Sequence, residues 1–128
     1  MRGKRVVVTG GAGFIGNNLA EELAKDNEVI VIDNLATGRE VNLNRDLYTV
    51  IDGDIRDLDM LMDAFEGVNY VFHQAALPSV PRSVTDPLTT NAVNVEGTLN
   101  VLVAARDRGG EKVVAASSSS VYGDTPTL

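Results

Sequence analysis

Cysteine and tryptophan are absent from this 128-residue chain, and histidine occurs once, as His73. Without thiols there is neither a disulfide framework nor a thiolate metal centre, and no metal is expected. Positive charge is scarce as well. Eleven Lys and Arg against 18 Asp and Glu leave a net charge of −7, which argues against a nucleic-acid partner gripped through its phosphates. No apolar run approaches the roughly 20 residues that span a bilayer. The basic residues Arg2, Lys4 and Arg5 precede only a short apolar run, so neither a membrane span nor a signal peptide is expected. With 44% hydrophobic residues the chain can bury a core, and it reads as one cytoplasmic α/β domain.

What is present begins with Val6-Val7-Val8-Thr9-Gly10-Gly11-Ala12-Gly13-Phe14-Ile15-Gly16. Three β-branched residues run into a glycine cluster, and an amphipathic helix over 14–25 follows. Gly10, Gly13 and Gly16 are spaced for a turn too tight for a Cβ, where the backbone must approach something closely. The amides opening the helix lack internal partners and carry the positive end of its dipole, so a pyrophosphate is the natural occupant. A P-loop is excluded because no Gly-Lys-Ser/Thr follows the turn. The next apolar run, Val29–Ile32, ends in Asp33, at the distance from the glycines where an acid meets ribose hydroxyls. Its carboxylate would accept from both hydroxyls and repel a 2′-phosphate, favouring NAD over NADP. The bland alternative is an acid at a strand end beside an ordinary glycine turn.

Strands at 4–9, 28–33, 47–52, 69–74 and 111–117 alternate with helices at 14–25, 57–66 and 87–108. That alternation predicts a Rossmann-type doubly wound parallel sheet of order 3-2-1-4-5. Ligands then belong at the carboxyl edge of the strands. There the polar loop Asn34-Leu35-Ala36-Thr37-Gly38 should wrap the ribose. Asp54 would accept from an adenine amine while the Ile55 amide donates to a ring nitrogen, and Asp57 is the better cap for the helix that follows. Leu58, Leu61, Met62 and Phe65 form one core face, and Leu88, Ala92, Val95, Leu99 and Leu102 another. The small residues Ala75 and Ala76 after Gln74 let the backbone lie against a flat cofactor. His73 reads as a satisfied structural histidine. Asn94 interrupts an apolar helix face and would donate to the cofactor or to the neighbouring loop. Ser79 and Arg82 lie in a two-proline loop at the ligand edge and could face a substrate. The run Ser117–Ser120 can hold a polar substrate or cap a turn, and both readings stand.

These segments together resemble the extended short-chain dehydrogenase/reductase family, in particular its NAD-dependent nucleotide-sugar epimerases and dehydratases. The matching pieces are Thr9–Gly16, Asp33–Gly38, Gly53–Asp57, His73–Ala76, Asn94–Gly97 and Ser117–Gly123. Within the family the chain is most similar to UDP-glucose and UDP-N-acetylglucosamine 4-epimerases, and the segment 77–83 leans towards the N-acetylated branch. The resemblance implies pyrophosphate contacts from the backbone of Phe14 and Ile15. It implies ribose contacts from Asp33 and Asn34 and adenine contacts from Asp54 and Ile55. A cofactor lining from Gln74, Ala75, Ala76 and Asn94, and a sugar-hydroxyl contact from Ser118, are implied in the same way. It also implies a UDP-sugar substrate and a tyrosine base assisted by a lysine four residues later.

That last pair is missing. Tyr48, Tyr70 and Tyr122 are followed four positions on by Asp52, Gln74 and Pro126. An unassisted tyrosine, with a pKa of about 10, cannot abstract a proton at neutral pH. The expectation is therefore a partial NAD-binding domain over 1–128 with no substrate domain, inactive alone, from an epimerase or a related dehydratase or reductase. A stand-alone or designed minimal NAD-binding module is the alternative. An uncovered fifth strand or the apolar helix 87–108 should promote self-association.

Overall fold

A computed structural model describes residues 2–11, 14–34, 43–74 and 86–115. Along the chain run β1 (Arg5–Thr9), α1 (Phe14–Ala24), β2 (Glu28–Asp33), β3 (Thr49–Asp52), α2 (Leu58–Ala64) and β4 (Tyr70–His73). Then come α3 (Pro87–Asn91), one π-helical turn (Ala92–Glu96), α4 (Gly97–Asp107) and β5 (Lys112–Ala115). Every pairing is parallel and the sheet order is β3-β2-β1-β4-β5, as the alternation of elements predicts. Central strands buried on both faces need no polar alternation, hence the unbroken Val6-Val7-Val8 and Val29–Ile32 runs.

The two faces of the sheet make two cores. Val6, Val8, Val29 and Val31 pack with Ala20 of α1 and with Tyr48. Val7, Ile30, Ile32 and Val71 pack with Leu61 and Phe65 from α2 and its end, and with Val101, Ala104 and Ala105 of α4. Asp57 caps α2 by accepting from the Met60 amide at 3.1 Å. Asp86 does the same for Thr89 at the start of α3, at 3.3 Å. β3 begins at Thr49 rather than at 47. Tyr48 is instead drawn under α1, where its hydroxyl donates to Asn17 Oδ1 at 3.0 Å and accepts from the Asn44 amide at 2.7 Å.

The helices depart from expectation on one point of consequence. Leu88, Val95, Leu99 and Leu102, which their spacing predicts as a core stripe, are exposed by 84%, 60%, 58% and 48%. Ala92, the fifth member of that stripe, has a side chain outside those described. The buried face of α4 consists of Gly97, Val101, Ala104 and Ala105. Small residues let the helix axis approach the sheet and α2 closely, and the bulkier leucines are left outside. The span 87–108 is also not one regular helix, because the π turn at 92–96 separates α3 from α4. Leu58, expected on a core face, lies outside too, and so does Ile15 of α1. Among the described residues no helix is long and apolar enough to cross a membrane.

This inside–outside assignment separates two leucines. Leu61→Ala, at a fully buried position, should cost about 2–5 kcal/mol in urea unfolding followed by circular dichroism. Leu99→Ala should cost less than about 1 kcal/mol in the monomer. Equal losses at the two positions would overturn the assignment.

Candidate functional site

The strands end together at one edge, and backbone bonds carry the alignment past them. The Gly10 amide donates to the Ile32 carbonyl at 2.8 Å, Gly53 to Asp33 at 3.2 Å, and Gln74 to Thr9 at 3.0 Å. Gly10, Asp33, Asn34, Asp54 and Gln74 therefore sit side by side on the tips of four strands. That edge is where open α/β sheets bind ligands.

The turn after β1 is built from backbone. Gly10 has φ +76°, a conformation that side chains resist. A Cβ at Gly16, in the first turn of α1, would run into the Gly10 carbonyl oxygen. The start of the helix thus rests directly on the turn, with Phe14 and Ile15 as its opening residues. The first amides of a helix have no i−4 acceptor and present partial positive charge. Unpartnered opening amides of this kind suit an anionic group such as a diphosphate.

At the far side of the edge, Asp33 ends β2, and Asn34 donates to Asp54 Oδ2 at 3.2 Å. Asp54 is already engaged. Arg56 reaches it through Nε at 3.0 Å and Nη2 at 2.6 Å, and the Arg56 amide donates to Oδ1 at 2.8 Å. The Arg56 hydrogen bonds hold the Asp54 carboxyl below its ordinary range and outweigh the opposing effect of partial burial. Ile55 buries its side chain in the core, which fixes the turn. From α4, Asn100 Nδ2 donates to the Ile55 and Arg56 carbonyls, both at 3.1 Å, and clamps that turn from behind.

His73 is structural, as expected from the sequence. Its Nδ1 lies 2.7 Å from Thr9 Oγ1 and its Nε2 2.8 Å from Thr98 Oγ1. Burial pushes its pKa down. Asn94 lies half-buried in the π turn, and its carbonyl accepts from the Thr98 hydroxyl at 2.8 Å. The candidate residues Gly13, Leu35, Ala36, Thr37, Gly38, Ala75, Ala76, Ser79, Arg82 and Ser118 lie outside the described residues.

A sequence profile described as the NAD dependent epimerase/dehydratase family matches residues 6–128. The chain belongs to that family. A relative named "Putative UDP-glucose 4-epimerase" from Methanocaldococcus jannaschii is 43% identical over 122 residues, covering 93% of this chain and 40% of the relative. The solved UDP-N-acetylglucosamine 4-epimerase from Methanobrevibacter ruminantium is 44% identical, with a TM-score of 0.90 over 100% of this chain and 42% of that one. A Thermus thermophilus UDP-glucose 4-epimerase solved as a complex with NAD is also 44% identical, with a TM-score of 0.85 over 95% of this chain and 40% of that one. The chain thus spans about two-fifths of the length of the relatives it matches.

Among the described residues of this family member, Thr9, Arg56, Thr98 and Asn100 make site contacts that the sequence did not single out. Thr98 meets a histidine 25 positions away and Asn100 a turn about 45 positions away, so no local spacing announces them. The one available signal was the small-residue start of α4, where Gly97 brings the neighbouring polar side chains against the strand tips.

A pH dependence follows from His73. The unfolded chain takes up a proton near pH 6.5, while the buried imidazole resists protonation until lower pH. Between those two values the unfolded state binds more protons, so stability should fall as pH drops below about 6.5. Thermal unfolding from pH 7.5 to 5 measures this slope. His73→Gln should lower the melting temperature and remove the slope above pH 5; an unchanged slope in the variant would assign it to another group.

Proposed function

We propose that this chain is the NAD-binding amino-terminal portion of a nucleotide-sugar 4-epimerase, a partial domain over 1–128 whose substrate domain lies outside it. The observation that carries the reading is the backbone contact between Gly16 and Gly10, set beside Asp33 at the tip of the neighbouring strand. The opening amides of α1, at Phe14 and Ile15, would hold the diphosphate together with the turn at Gly10 and Gly13. Asp33 and Asn34, with the segment Leu35–Gly38, would hold the adenosine ribose. Asp54 and the Ile55 amide would meet adenine, and Gln74, Ala75, Ala76 and Asn94 would line the rest of the cleft. Complementarity of Asp33 to a ribose diol, and its repulsion of a 2′-phosphate, favour NAD over NADP.

When bound, NAD supplies a hydride acceptor and donor for transient oxidation at C4 of a UDP-sugar. Ser118 would hydrogen-bond the reacting sugar hydroxyl, and Ser79 would face the sugar. A tyrosine with a lysine four residues on is not found in these 128 residues, so this chain alone would bind NAD without turnover. The family description joins epimerases to dehydratases, which keeps a dehydratase parent as the second reading. The lack of cysteine suits a reducing compartment such as the cytoplasm.

Self-association belongs to the same proposal. Leu88, Val95, Leu99 and Leu102 leave large apolar side chains of the 87–107 span in water, and Val114 adds a further one on the outer strand β5. Surfaces of this kind mark interaction sites. The helical span is the stronger of the two because it exposes four large apolar side chains.

Calorimetric titration of the chain with NAD and NADP tests the cofactor reading. NAD should bind at least about tenfold more tightly than NADP, a difference of about 1.4 kcal/mol. Gly16→Ala should abolish binding while costing about 1–3 kcal/mol of stability through overpacking. No NAD binding, or equal binding of NADP, would sink it. Sedimentation should show dimers that Leu99→Asp dissociates; a wild-type monomer at high concentration would count against the association.

A further inference from the structure

Thr9, His73, Thr98 and Asn94 form a continuous chain of hydrogen bonds from the end of β1 to the π turn, and its direction can be worked out. The Thr98 hydroxyl spends its only proton on the Asn94 carbonyl, at 2.8 Å. Its oxygen must then accept from His73, so Nε2 carries the imidazole proton across the 2.8 Å contact. In a neutral ring Nδ1 is consequently a bare acceptor, and the Thr9 hydroxyl donates to it at 2.7 Å. Thr9 Oγ1 in turn accepts from the Gln74 amide at 3.1 Å. Every bond points the same way: Gln74 amide, Thr9 hydroxyl, His73 ring, Thr98 hydroxyl, Asn94 carbonyl.

The ends of this chain matter more than its middle. Thr9 is the residue before Gly10, the positive-φ glycine on which α1 rests. Gln74 opens the segment after β4. Asn94 sits inside the single π-helical turn of the span 87–107, a local geometry in which one residue too many is accommodated in the helix. An extra residue can be taken up at neighbouring positions of a helix, so something must select this one. Thr98 bonds from its side chain to the carbonyl four residues back, inside the π turn, and the imidazole holds that hydroxyl in place.

We propose that His73 and Thr98 are positioning residues for the cofactor: they lock the π turn in register and tie Asn94 to the glycine turn after β1, so that two walls of the nucleotide cleft move as one. This rests on the NAD-binding reading above. The relay would serve the diphosphate and nicotinamide side of the cleft, whereas the adenosine side carries its own Asn34–Asp54–Arg56 cluster, whose bonds include no relay residue. Loss of the relay should therefore weaken a whole dinucleotide more than a mononucleotide.

Thr98→Val removes the hydroxyl with little change of shape, and Thr98→Ser restores it. Three measurements on the 128-residue chain decide the matter: affinity for NAD and for AMP, amide exchange at Gly10 and Gln74, and the imidazole nitrogen shifts of His73. In the wild type the shifts should report protonated Nε2 and bare Nδ1. Thr98→Val should weaken NAD about tenfold, the effect of one lost buried hydrogen bond, and AMP by no more than about twofold. It should speed exchange at both amides about tenfold, and Thr98→Ser should return all of these to near wild type. The proposal is overturned by an Nδ1-protonated ring, by exchange in Thr98→Val that matches wild type, or by NAD and AMP weakening equally. A wild-type chain that fails to bind NAD removes the cofactor role, while exchange and ring shifts still report whether the relay locks the turn.

Discussion

One backbone contact organises this domain. The first turn of α1 lies so near the end of β1 that a single methyl group at Gly16 would strike the Gly10 carbonyl. Close approach ties the first turn of the helix, whose opening amides have no i−4 acceptor, to the tip of β1. The turn needs glycine at Gly10 for its positive φ and at Gly11 and Gly16 for want of space, against the Val31 side chain and the Gly10 carbonyl. Asp33, Asn34, Asp54 and Gln74 lie on the same edge of the sheet as this contact.

Around it the domain uses two kinds of support. On the α1 side, Tyr48 reaches under the helix to Asn17 and holds the approach to β3. On the opposite side, α4 faces the strand tips with polar residues between its buried small ones. Thr98 reaches His73, and Asn100 reaches the turn that carries Asp54 and Ile55. Buried polar side chains are costly unless paired, and here each pairing joins elements far apart in the chain. The polar contacts therefore specify which helix sits over which strand tip, while the apolar core supplies the driving force.

The outer face of the 87–107 span carries the opposite message. Its leucines and valine stay about half or more exposed, while the opposite face of α4 is buried. The inner face, with Gly97, Val101, Ala104 and Ala105, serves the stability of this domain, and the chain covers about two-fifths of its relatives' length.

The order of the sheet, the glycine turn, the acid ending β2 and the cap at Asp57 were legible in the sequence, because each depends on neighbours within a few residues or on a simple period. Strand runs buried on both faces, a turn that excludes side chains and a capping carboxylate are local physics. The face of the last helix was not legible. Leu99 and Val101 are both apolar, and only the packed structure shows that close approach by Gly97, Ala104 and Ala105 turns Val101 inward and Leu99 out. The His73 relay and the Asn100 clamp were hidden for a related reason: their partners lie 25 to 64 positions away, and side-chain hydrogen bonds leave no periodic trace in a chain. Sequence determined what each segment becomes; tertiary packing decided which polar groups meet, because that depends on distances between segments and not on order along them.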